Sequence, residues 1–372
     1  MTTPKLFGCM MMKDEEKNLP RCLDSVSNIC DEIIIVDTGS TDKSVEIARG
    51  YGAKVYPGVF NWRKPPIFDF SLHRNSAFEY TEEHFANNND WLVVVDCDET
   101  IEVNDPATLK DRLSRIAPII SGIVVVVHNI ENDEINMSWY GSRLFRANKG
   151  TYYENYIHNE VKLEHGYMAG TDIIFHHYGY EKGAIMNSKR DRALTSLERR
   201  INEDPNDYNA WFYVCVTNSG YGNYETAIEA GHKCLEILST VDKVMDDPNT
   251  KMNYYGLLYY TIGACWLNLH NGPKAYAAYR KGFDFWPNDM DLNFALAELG
   301  YFSKEKEILM FHGERYLEAL KKYRKELSMS DDIDKFATWI QYDNLTLSKR
   351  HVACGTKKHE KNLTEWMEEH TP

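Results

Sequence analysis

The sequence lacks long apolar runs, a secretory signal and the cysteine pairs that are typical of zinc sites and disulfides. Apolar runs such as Ile33–Val36 and Ile123–Val127 are far shorter than the roughly 20 residues that a membrane-spanning helix needs. The eight cysteines form no C-x-x-C pair, which favours core thiols in a reducing compartment over zinc or disulfides. The first residues become charged too early for a secretory signal. We therefore expect a cytoplasmic chain that is not an integral membrane protein.

An excess of positive charge is also missing. The chain has 42 Lys and Arg against 56 Asp and Glu, a formal net charge of −14, which opposes broad contact with a phosphate backbone. Nucleic acid is therefore not an expected partner. The composition, with 43% hydrophobic and 26% charged residues, is that of a globular protein. A length of 372 residues favours two or three domains.

The most informative stretch is WLVVVDCDET, residues 91–100. Its apolar run Leu92–Val95 predicts a strand buried on both faces, as in parallel sheets. Asp96 and Asp98 follow at the carboxyl end of this strand, where α/β folds bind ligands. Since hard divalent cations take oxygen ligands, this D-x-D pattern suits a metal that bridges the protein to a diphosphate. The alternative is that the two acids merely end the strand.

Strand-like and helix-like patterns alternate through the first hundred residues. Strands are predicted at Leu6–Met12, Glu32–Val36, Lys54–Tyr56 and Leu92–Val95, and helices at Asn18–Ser27, Val45–Gly52 and Ser71–His84. This order predicts a mostly parallel sheet flanked by helices. Asp14, Asp37 and Asp96 should then lie along one edge of it.

Six motifs in this region occur in the order typical of one family. They are K-D-E-E-K-N-L-P-R-C-L-D-S (13–25), I-V-D-T-G-S-T-D-K-S (35–44), F-N-W (60–62), D-F (69–70), R-N-S-A (74–77) and V-V-D-C-D-E (94–99). With them the chain resembles a family 2 glycosyltransferase. The resemblance implies an α/β domain with the GT-A fold, and the R-L-F-R run at Arg143–Arg146 agrees. The chain also resembles the branch in which tetratricopeptide-like helices follow this domain.

The resemblance implies transfer of a sugar from a nucleotide diphosphate sugar, with a UDP-sugar favoured, with the help of Mn²⁺ or Mg²⁺. In relatives a late histidine of an H-x-G-Y motif returns to the nucleotide-bound metal. Here the matching residue is His177, with His176 as the alternate, so Asp98 and His177 are the expected metal ligands. The alternative is a purely structural histidine.

The resemblance also assigns residues to the donor nucleotide. Glu15 and Asp37 match positions that line the base and ribose, and Asp96 is expected at the ribose. Arg74 resembles the residue that faces the phosphates. Together with Asp98, these residues form the predicted donor site.

The catalytic base is where the sequence departs from its relatives. They carry a histidine followed directly by an acid, whereas His158 is followed by Asn159, and the acid comes next as Glu160. A carboxylate on the far side of the sugar would act as general base in a single inverting displacement. Glu160 is our candidate. Glu154 and Asp172 remain alternatives, because a sequence gives no distances.

From Asn187 on, helical patterns replace strands. One tetratricopeptide repeat is recognisable from its spacing of large and small residues, in Tyr259, Ile262, Gly263, Trp266, Ala275, Tyr279, Gly282 and Pro287. We predict a glycosyltransferase domain at residues 1–186, a tetratricopeptide-like domain at 187–330 and a tail without an assigned role at 331–372. The aromatic stripes are expected in the core. A concave helical surface would suit acceptor capture or homodimerisation.

Two other classes of protein compete with this interpretation. A nucleotidyltransferase would need a Gly-rich loop after the first strand, where the chain reads M-M-M-K-D-E-E. A non-catalytic scaffold would bind partners through its helices beside a decayed sugar site, but the intact D-x-D, R-N and H-x-G-Y motifs argue against decay. The expected acceptor is a hydroxyl on a glycan, a lipid-linked glycan or a polypeptide.

Overall fold

The protein divides into two compact units. A computed structural model describes residues 3–58, 69–131, 133–155, 159–164, 167–178, 184–240, 252–328 and 357–371. The first unit comprises Met1–Glu181 and Ser328–Asn344, and the second comprises Lys182–Leu327 and Leu345–Pro372. Across the described ranges, no helix combines the length and the apolarity needed to cross a bilayer.

The described part of the first unit contains ten strands. They are β1 (Leu6–Met12), β2 (Glu32–Asp37), β3 (Lys54–Pro57), β4 (Trp91–Val94), β5 (Glu99–Glu102), β6 (Ile120–Glu131), β7 (Glu134–Arg146), β8 (Thr151–Glu154), β9 (Glu160–Leu163) and β10 (Tyr167–His177). Eight of them form one sheet in the order β3-β2-β1-β4-β7-β6-β10-β5, and β8 pairs with β9.

The large sheet is mixed. Strands β3, β2, β1 and β4 are parallel neighbours, and β6 is parallel to β10. Strand β7 runs antiparallel to β4 and β6, and β5 runs antiparallel to β10. The predicted α/β fold class, a GT-A-type sheet flanked by helices, is confirmed, and the antiparallel pairs all involve strands beyond the D-x-D motif.

Helices on both faces explain why the central strands are apolar throughout. The first unit contains α1 (Leu19–Ser27), α2 (Ser44–Gly50), α3 (Phe70–His84) and α4 (Pro106–Ser114). On one face Leu23 of α1 and Leu109 of α4 belong to the same buried cluster as Val93. On the other face Phe78 of α3 packs in a cluster with Val94.

All of the regular structure described in the second unit is helical. Its helices are α5 (Ala184–Glu203), α6 (Tyr208–Gly220), α7 (Tyr224–Leu238), α8 (Leu257–Asn268), α9 (Gly272–Phe285), α10 (Met290–Ser303), α11 (Lys306–Ser328) and α12 (Lys357–Glu369), with a π-helical turn at Met252–Gly256 before α8. A helical domain was predicted here, and its presence is confirmed.

The tetratricopeptide spacing corresponds to close packing of α8 against α9. Ile262, Ala275 and Tyr279 are all buried. A Cβ atom at Gly263 would lie 2.3 Å from Cε1 of Tyr279, so the missing side chain lets the tyrosine ring approach the helix. The repeat's small and large residues therefore meet as the pattern requires.

The helix α12 lies in the polar segment 331–372, to which the sequence analysis assigned no structure or role. Its Leu363 is fully buried in a cluster with residues of α10 and α11. The Trp366 ring stacks on Tyr301 at a centroid distance of 4.9 Å. The Tyr301 hydroxyl donates to Glu369 over 2.9 Å. These contacts make α12 part of the core of the second unit.

The cysteines behave as core thiols. The seven cysteines in the described ranges are free, and all but Cys30 are buried. Burial raises the pKa of the Cys9 thiol to about 12, which keeps it protonated and unreactive. Their burial agrees with the prediction that these residues lie in the core.

Candidate active site

The candidate site lies at the carboxyl ends of β1, β2 and β4. Because these strands are parallel, their ends meet at one edge of the sheet. Met12 lies opposite Asp37, and Cys9 lies opposite Val94. The two acids that follow β4, Asp96 and Asp98, therefore come out at the same edge as Asp37.

Asp37 and Glu15 are held in the two loops that begin this edge. Asp37 Oδ1 accepts a hydrogen bond from the backbone N–H of Ser40 at 3.1 Å. Glu15 Oε2 accepts from Asn18 at 3.0 Å, and its backbone N–H donates to the Ser44 hydroxyl at 2.7 Å. The bond between Glu15 and Ser44 ties the loop after β1 to the start of α2, the helix that follows β2. Both predicted nucleotide-binding residues thus have defined positions.

Arg74 projects from α3 onto the D-x-D turn. Asp69 caps this helix by accepting from the backbone N–H of Leu72 at 3.0 Å, which fixes the helix start. Arg74 Nη2 then donates to Asp96 Oδ1 at 2.6 Å. Burial lowers the pKa of Arg74, but Asp96, Tyr153 and Glu99 together outweigh burial, so the pKa is raised and the guanidinium stays charged.

His177 returns to Asp98 through the pairing of β10 with β5. In this antiparallel pair His177 lies opposite Glu99, and the backbone N–H of Tyr178 donates to the carbonyl of Asp98 at 2.9 Å. His177 Nε2 lies 3.5 Å from Asp98 Oδ2. The structure therefore brings the two predicted metal ligands together.

Asn129 on β6 orients the His177 ring. Its Oδ1 atom lies 3.0 Å from His177 Nδ1, so Nδ1–H donates there and Nε2 faces Asp98. Burial lowers the pKa of His177, but the hydrogen bond and charge of Asp98, together with the charges of Glu99 and Asp96, raise the pKa above its ordinary value. Asn129 was not singled out in the sequence analysis, since nothing in the sequence shows which residue lies beside His177.

His176, the alternate ligand, belongs to a different contact. Successive residues of a strand point to opposite faces, and His176 lies opposite Thr100 instead of Glu99. Its Nε2 atom is 2.7 Å from Glu102 Oε2. The register therefore favours His177 over His176 as the ligand.

The donor set fits a divalent cation that also binds a phosphate. Asp98 offers a carboxylate and His177 an imidazole nitrogen, both suited to Mn²⁺. Within the described ranges no group of three or more His, Cys, Asp or Glu residues forms a complete protein cage. Two protein ligands leave coordination positions that a diphosphate can fill, as is usual for Mg²⁺ at nucleotide sites.

A second ion pair lies beside the first. Glu99 is only 1% exposed, and its Oε1 accepts from Arg143 Nη2 at 2.7 Å. Near both arginines, the buried hydroxyl of Tyr153 has no hydrogen-bond partner among the described residues. Glu99 directly follows the D-x-D motif, and Arg143 is the first residue of R-L-F-R. Both residues therefore belong to motifs that the sequence analysis recognised, but it assigned no function to either of them.

The three base candidates differ in what surrounds them. The backbone of Glu160 in β9 pairs with Glu154 in β8, while its side chain and all of His158 lie outside the described residues. Glu154 is exposed, 3.7 Å from Lys162 Nζ. Asp172 is buried and accepts from Arg112 Nη1 with both oxygens, at 3.1 and 2.9 Å. This buried ion pair argues against Asp172 as the base.

One predicted motif lies entirely outside the described residues, and another lies partly outside them. The F-N-W motif at 60–62 lies outside the described residues, as do Gly179 and Tyr180 of the H-x-G-Y motif.

The sheet order and the acidic edge define an α/β domain of the GT-A type. Residues 9–175 match the sequence model of glycosyl transferase family 2. The chain therefore contains a family 2 glycosyltransferase domain, which occupies most of the first unit.

The chain is also similar to proteins that are named for helical repeats or for glycosyl transfer. A TPR repeat-containing protein of Synechococcus elongatus is 28% identical over 239 residues, covering 61% of this chain and 55% of that protein. The SPbeta prophage-derived glycosyltransferase SunS of Bacillus subtilis is 24% identical over 207 residues, covering 55% of this chain and 46% of SunS. The chain thus spans about half the length of these relatives.

Among solved structures, the similarity is more distant. The glucosyl-3-phosphoglycerate synthase of Mycobacterium tuberculosis, solved with Mn²⁺, UDP and glucosyl-3-phosphoglycerate, is 20% identical with a TM-score of 0.23. The matched region covers 34% of this chain and 44% of that one.

Proposed function

We propose that the protein is a metal-dependent glycosyltransferase that moves a sugar from a nucleotide diphosphate sugar to an acceptor hydroxyl with inversion. The observation that supports this most is the approach of His177 Nε2 to Asp98 Oδ2, 3.5 Å apart at the carboxyl edge of the sheet. This contact brings a histidine of β10 to the D-x-D turn. A non-catalytic scaffold would not require a histidine and a carboxylate at this position.

Asp98 and His177 would hold Mn²⁺ or Mg²⁺. The ion, when bound, supplies Lewis-acid stabilisation to the diphosphate leaving group. Asn129 keeps the His177 nitrogen directed at the ion position through its 3.0 Å contact with Nδ1. The fit rests on the donor set, a carboxylate and an imidazole with room for phosphate oxygens.

Arg74, Asp96, Asp37 and Glu15 would bind the nucleotide. Arg74 carries a fixed positive charge at the site edge and can share it between Asp96 and a phosphate. Asp96, Asp37 and Glu15 present carboxylate oxygens that accept hydrogen bonds from ribose hydroxyls or base N–H groups. A UDP-sugar is the donor that we favour, from the resemblance to the family.

The acceptor hydroxyl must lose its proton as it attacks the sugar. We keep Glu160 as the candidate general base, with Glu154 as the alternative, because Asp172 is engaged with Arg112. A base positioned opposite the leaving group gives an inverted product in one displacement. We place the acceptor on a glycan, a lipid-linked glycan or a polypeptide.

The helical domain at 187–330 would serve acceptor capture or homodimerisation, and the enzyme would work in the cytoplasm. The helical unit has a core of its own, with α8 packed on α9 and α12 packed on α10. We assign no role in donor binding to this unit, since every donor residue proposed above lies in the first unit.

The decisive experiment is a panel of nucleotide sugars with Mn²⁺, read by thermal shift and by slow hydrolysis of the donor. A bound donor at one hundred times its dissociation constant stabilises the protein by about 2.7 kcal/mol. Asp98→Ala should abolish the Mn²⁺-dependent shift and hydrolysis. Glu102→Gln, which changes an acid of the same strand region that contacts His176, is the matched control. Absence of any Mn²⁺-dependent donor binding in the unaltered protein would overturn the proposal.

A further inference from the structure

A β-bulge aims Arg143 at the site. In the pairing of β6 with β7, Ile123 lies opposite Leu144 and Val124 lies opposite Ser142, which leaves Arg143 as the extra residue. Bulges of this kind redirect a side chain and are common near active sites. The redirected guanidinium lies over Gly141, where a Cβ atom would be 3.8 Å from Arg143 Cζ.

Glu99 connects this arginine to the D-x-D turn. Its Oε1 accepts from Arg143 at 2.7 Å, and its Oε2 accepts from the backbone N–H of Asp96 at 3.1 Å. The backbone N–H of Glu99 in turn donates to the Asp96 carbonyl at 2.9 Å. Two hydrogen bonds therefore close the turn that carries Asp96 and Asp98, and one of them depends on the Glu99 side chain.

The position of Glu99 makes it dependent on Arg143. A buried carboxylate is costly unless it is paired and hydrogen-bonded, and Glu99 is almost completely buried. Its two oxygens are divided between a guanidinium and a backbone amide, so neither contact can be lost without leaving a buried polar group unpaired. Arg74 and its partner Asp96 form the neighbouring ion pair.

We propose that Glu99 and Arg143 are positioning residues that hold the Asp96–Glu99 turn and so fix Asp96 and Asp98 for the donor. The proposal rests on the proposed function for its purpose, but the turn itself can be tested without activity. Arg143 acts through Glu99 in this arrangement. The competing possibility, in which Arg143 binds the donor diphosphate directly, predicts different results for a double variant.

Amide hydrogen exchange of the peptide containing residues 92–102 tests the turn in the full chain. In Arg143→Met the charged Glu99 carboxylate is buried without its ion-pair partner, so we expect it to move toward water and leave the Asp96 N–H. Exchange at Asp96 should therefore be faster in Arg143→Met, and also in Glu99→Gln. The side-chain amide introduced by E99Q has one oxygen, which Arg143 attracts, so the Asp96 N–H loses its acceptor. In the double variant E99Q/R143M that oxygen is free to accept from Asp96, and protection should return. Arg112→Met, which breaks another buried arginine–carboxylate pair of this unit, should leave this peptide unchanged.

Titration calorimetry with UDP and Mn²⁺ then measures how each variant changes the binding affinity. Loss of a contact behind a metal ligand typically weakens metal affinity by about 10- to 100-fold, and we expect this for R143M and E99Q, with recovery in the double variant. If the double variant binds as weakly as R143M while its turn is protected, Arg143 contacts the donor and the proposal is wrong. Unchanged exchange in both single variants would also overturn it.

The test of the turn remains possible in two cases, when R143M does not fold and when the unaltered protein does not bind UDP. If R143M does not fold, Arg143→Lys replaces it, since lysine keeps the charge but lacks the guanidinium geometry that reaches Glu99. If the unaltered protein binds no UDP with Mn²⁺, the proposed function fails, while the exchange data still decide whether the pair holds the turn.

Discussion

Asn129 Oδ1 lies 3.0 Å from His177 Nδ1, and this contact directs the other ring nitrogen at Asp98. Asn129 is 3% exposed, so water does not compete with the contact. The two residues lie opposite each other in the parallel pair of β6 and β10. The orientation of the proposed metal ligand is therefore built into the sheet.

The first prediction follows from this contact. Asn129→Ala removes the acceptor, so His177 can rotate and Mn²⁺-dependent UDP binding should weaken by about 10- to 100-fold. Asn129→Asp keeps an acceptor oxygen at the same place and should bind more tightly than the alanine variant. Titration calorimetry measures both. Equal, unaltered affinities in the two variants would show that Asn129 does not orient the ring.

The second prediction concerns the base. Glu160→Gln keeps the shape and removes the basic oxygen, so turnover should fall by about 10² to 10⁴ while donor affinity stays nearly the same. Glu154→Gln is the control, because Glu154 is the exposed residue opposite Glu160 in the β8–β9 pair. A collapse of turnover in E154Q with normal turnover in E160Q would move the base to Glu154.

The third prediction separates Asp172 from catalysis. Asp172→Ala leaves the charge of Arg112 buried and unpaired, so the free energy of unfolding of the first unit should fall by about 3–5 kcal/mol. Urea denaturation measures the loss. Asp172→Asn retains hydrogen bonding and should keep most turnover under conditions where it is folded. If D172N is as stable as the unaltered protein but inactive, Asp172 is catalytic after all.

The fourth prediction is a pH dependence of stability in the helical unit. His312 is buried, with Nδ1 2.9 Å from Asn293 Oδ1 and a T-shaped contact to the Phe283 ring. Burial, together with the charges of Arg280 and Arg315, lowers the pKa of His312 to about 4. The unfolded chain protonates near pH 6.5, so between that pH and about 4 it binds more protons than the folded chain.

Stability should therefore fall as the pH is lowered through this window and stop falling below it, with at most about 1.4 kcal/mol per pH unit from His312. His312→Gln removes the titrating group. Subtracting its pH profile of urea midpoints from that of the unaltered protein should isolate the contribution. Parallel profiles between pH 4 and 6.5 would show that His312 does not titrate as described.

The fifth prediction tests the packing of α8 on α9. Gly263→Ala places a Cβ atom 2.3 Å from the Tyr279 ring, and overpacking of this kind costs about 1–3 kcal/mol. Gly272→Ala is the matched control, because a Cβ atom there meets nothing within 4 Å. Calorimetric melting should show a loss for G263A alone, and the double variant G263A/Y279L should regain part of it.

Much of the fold could be predicted because its signals are local. The apolar runs that became β1, β2 and β4 each end at an acid or shortly before one, and parallel pairing brings those ends together without further information. The Gly263 and Tyr279 spacing was likewise enough to predict helix packing. By contrast, α12 is polar and its contacts, such as Trp366 on Tyr301, depend on residues far away in the chain.

The site was less predictable because it depends on register. The H-x-G-Y motif favoured His177 but left His176 open, and the pairing of β10 with β5 shows that His177 lies opposite Glu99 while His176 lies opposite Thr100. Only the bulge at Arg143 shows that this residue reaches Glu99. For Asp172 the structure removes a candidate instead of adding one. The sequence left this acid as an alternative base, and the structure shows it paired with Arg112.

The helix α12 is synthesised after all the other described elements, including the helices that it packs against. The ten described strands are all translated before residue 178, so the sheet can form while the helices are still being made. The cluster that includes Tyr316 stays incomplete until Leu363 arrives. A nascent chain that ends between these two residues would leave the apolar side chains of this cluster uncovered by α12.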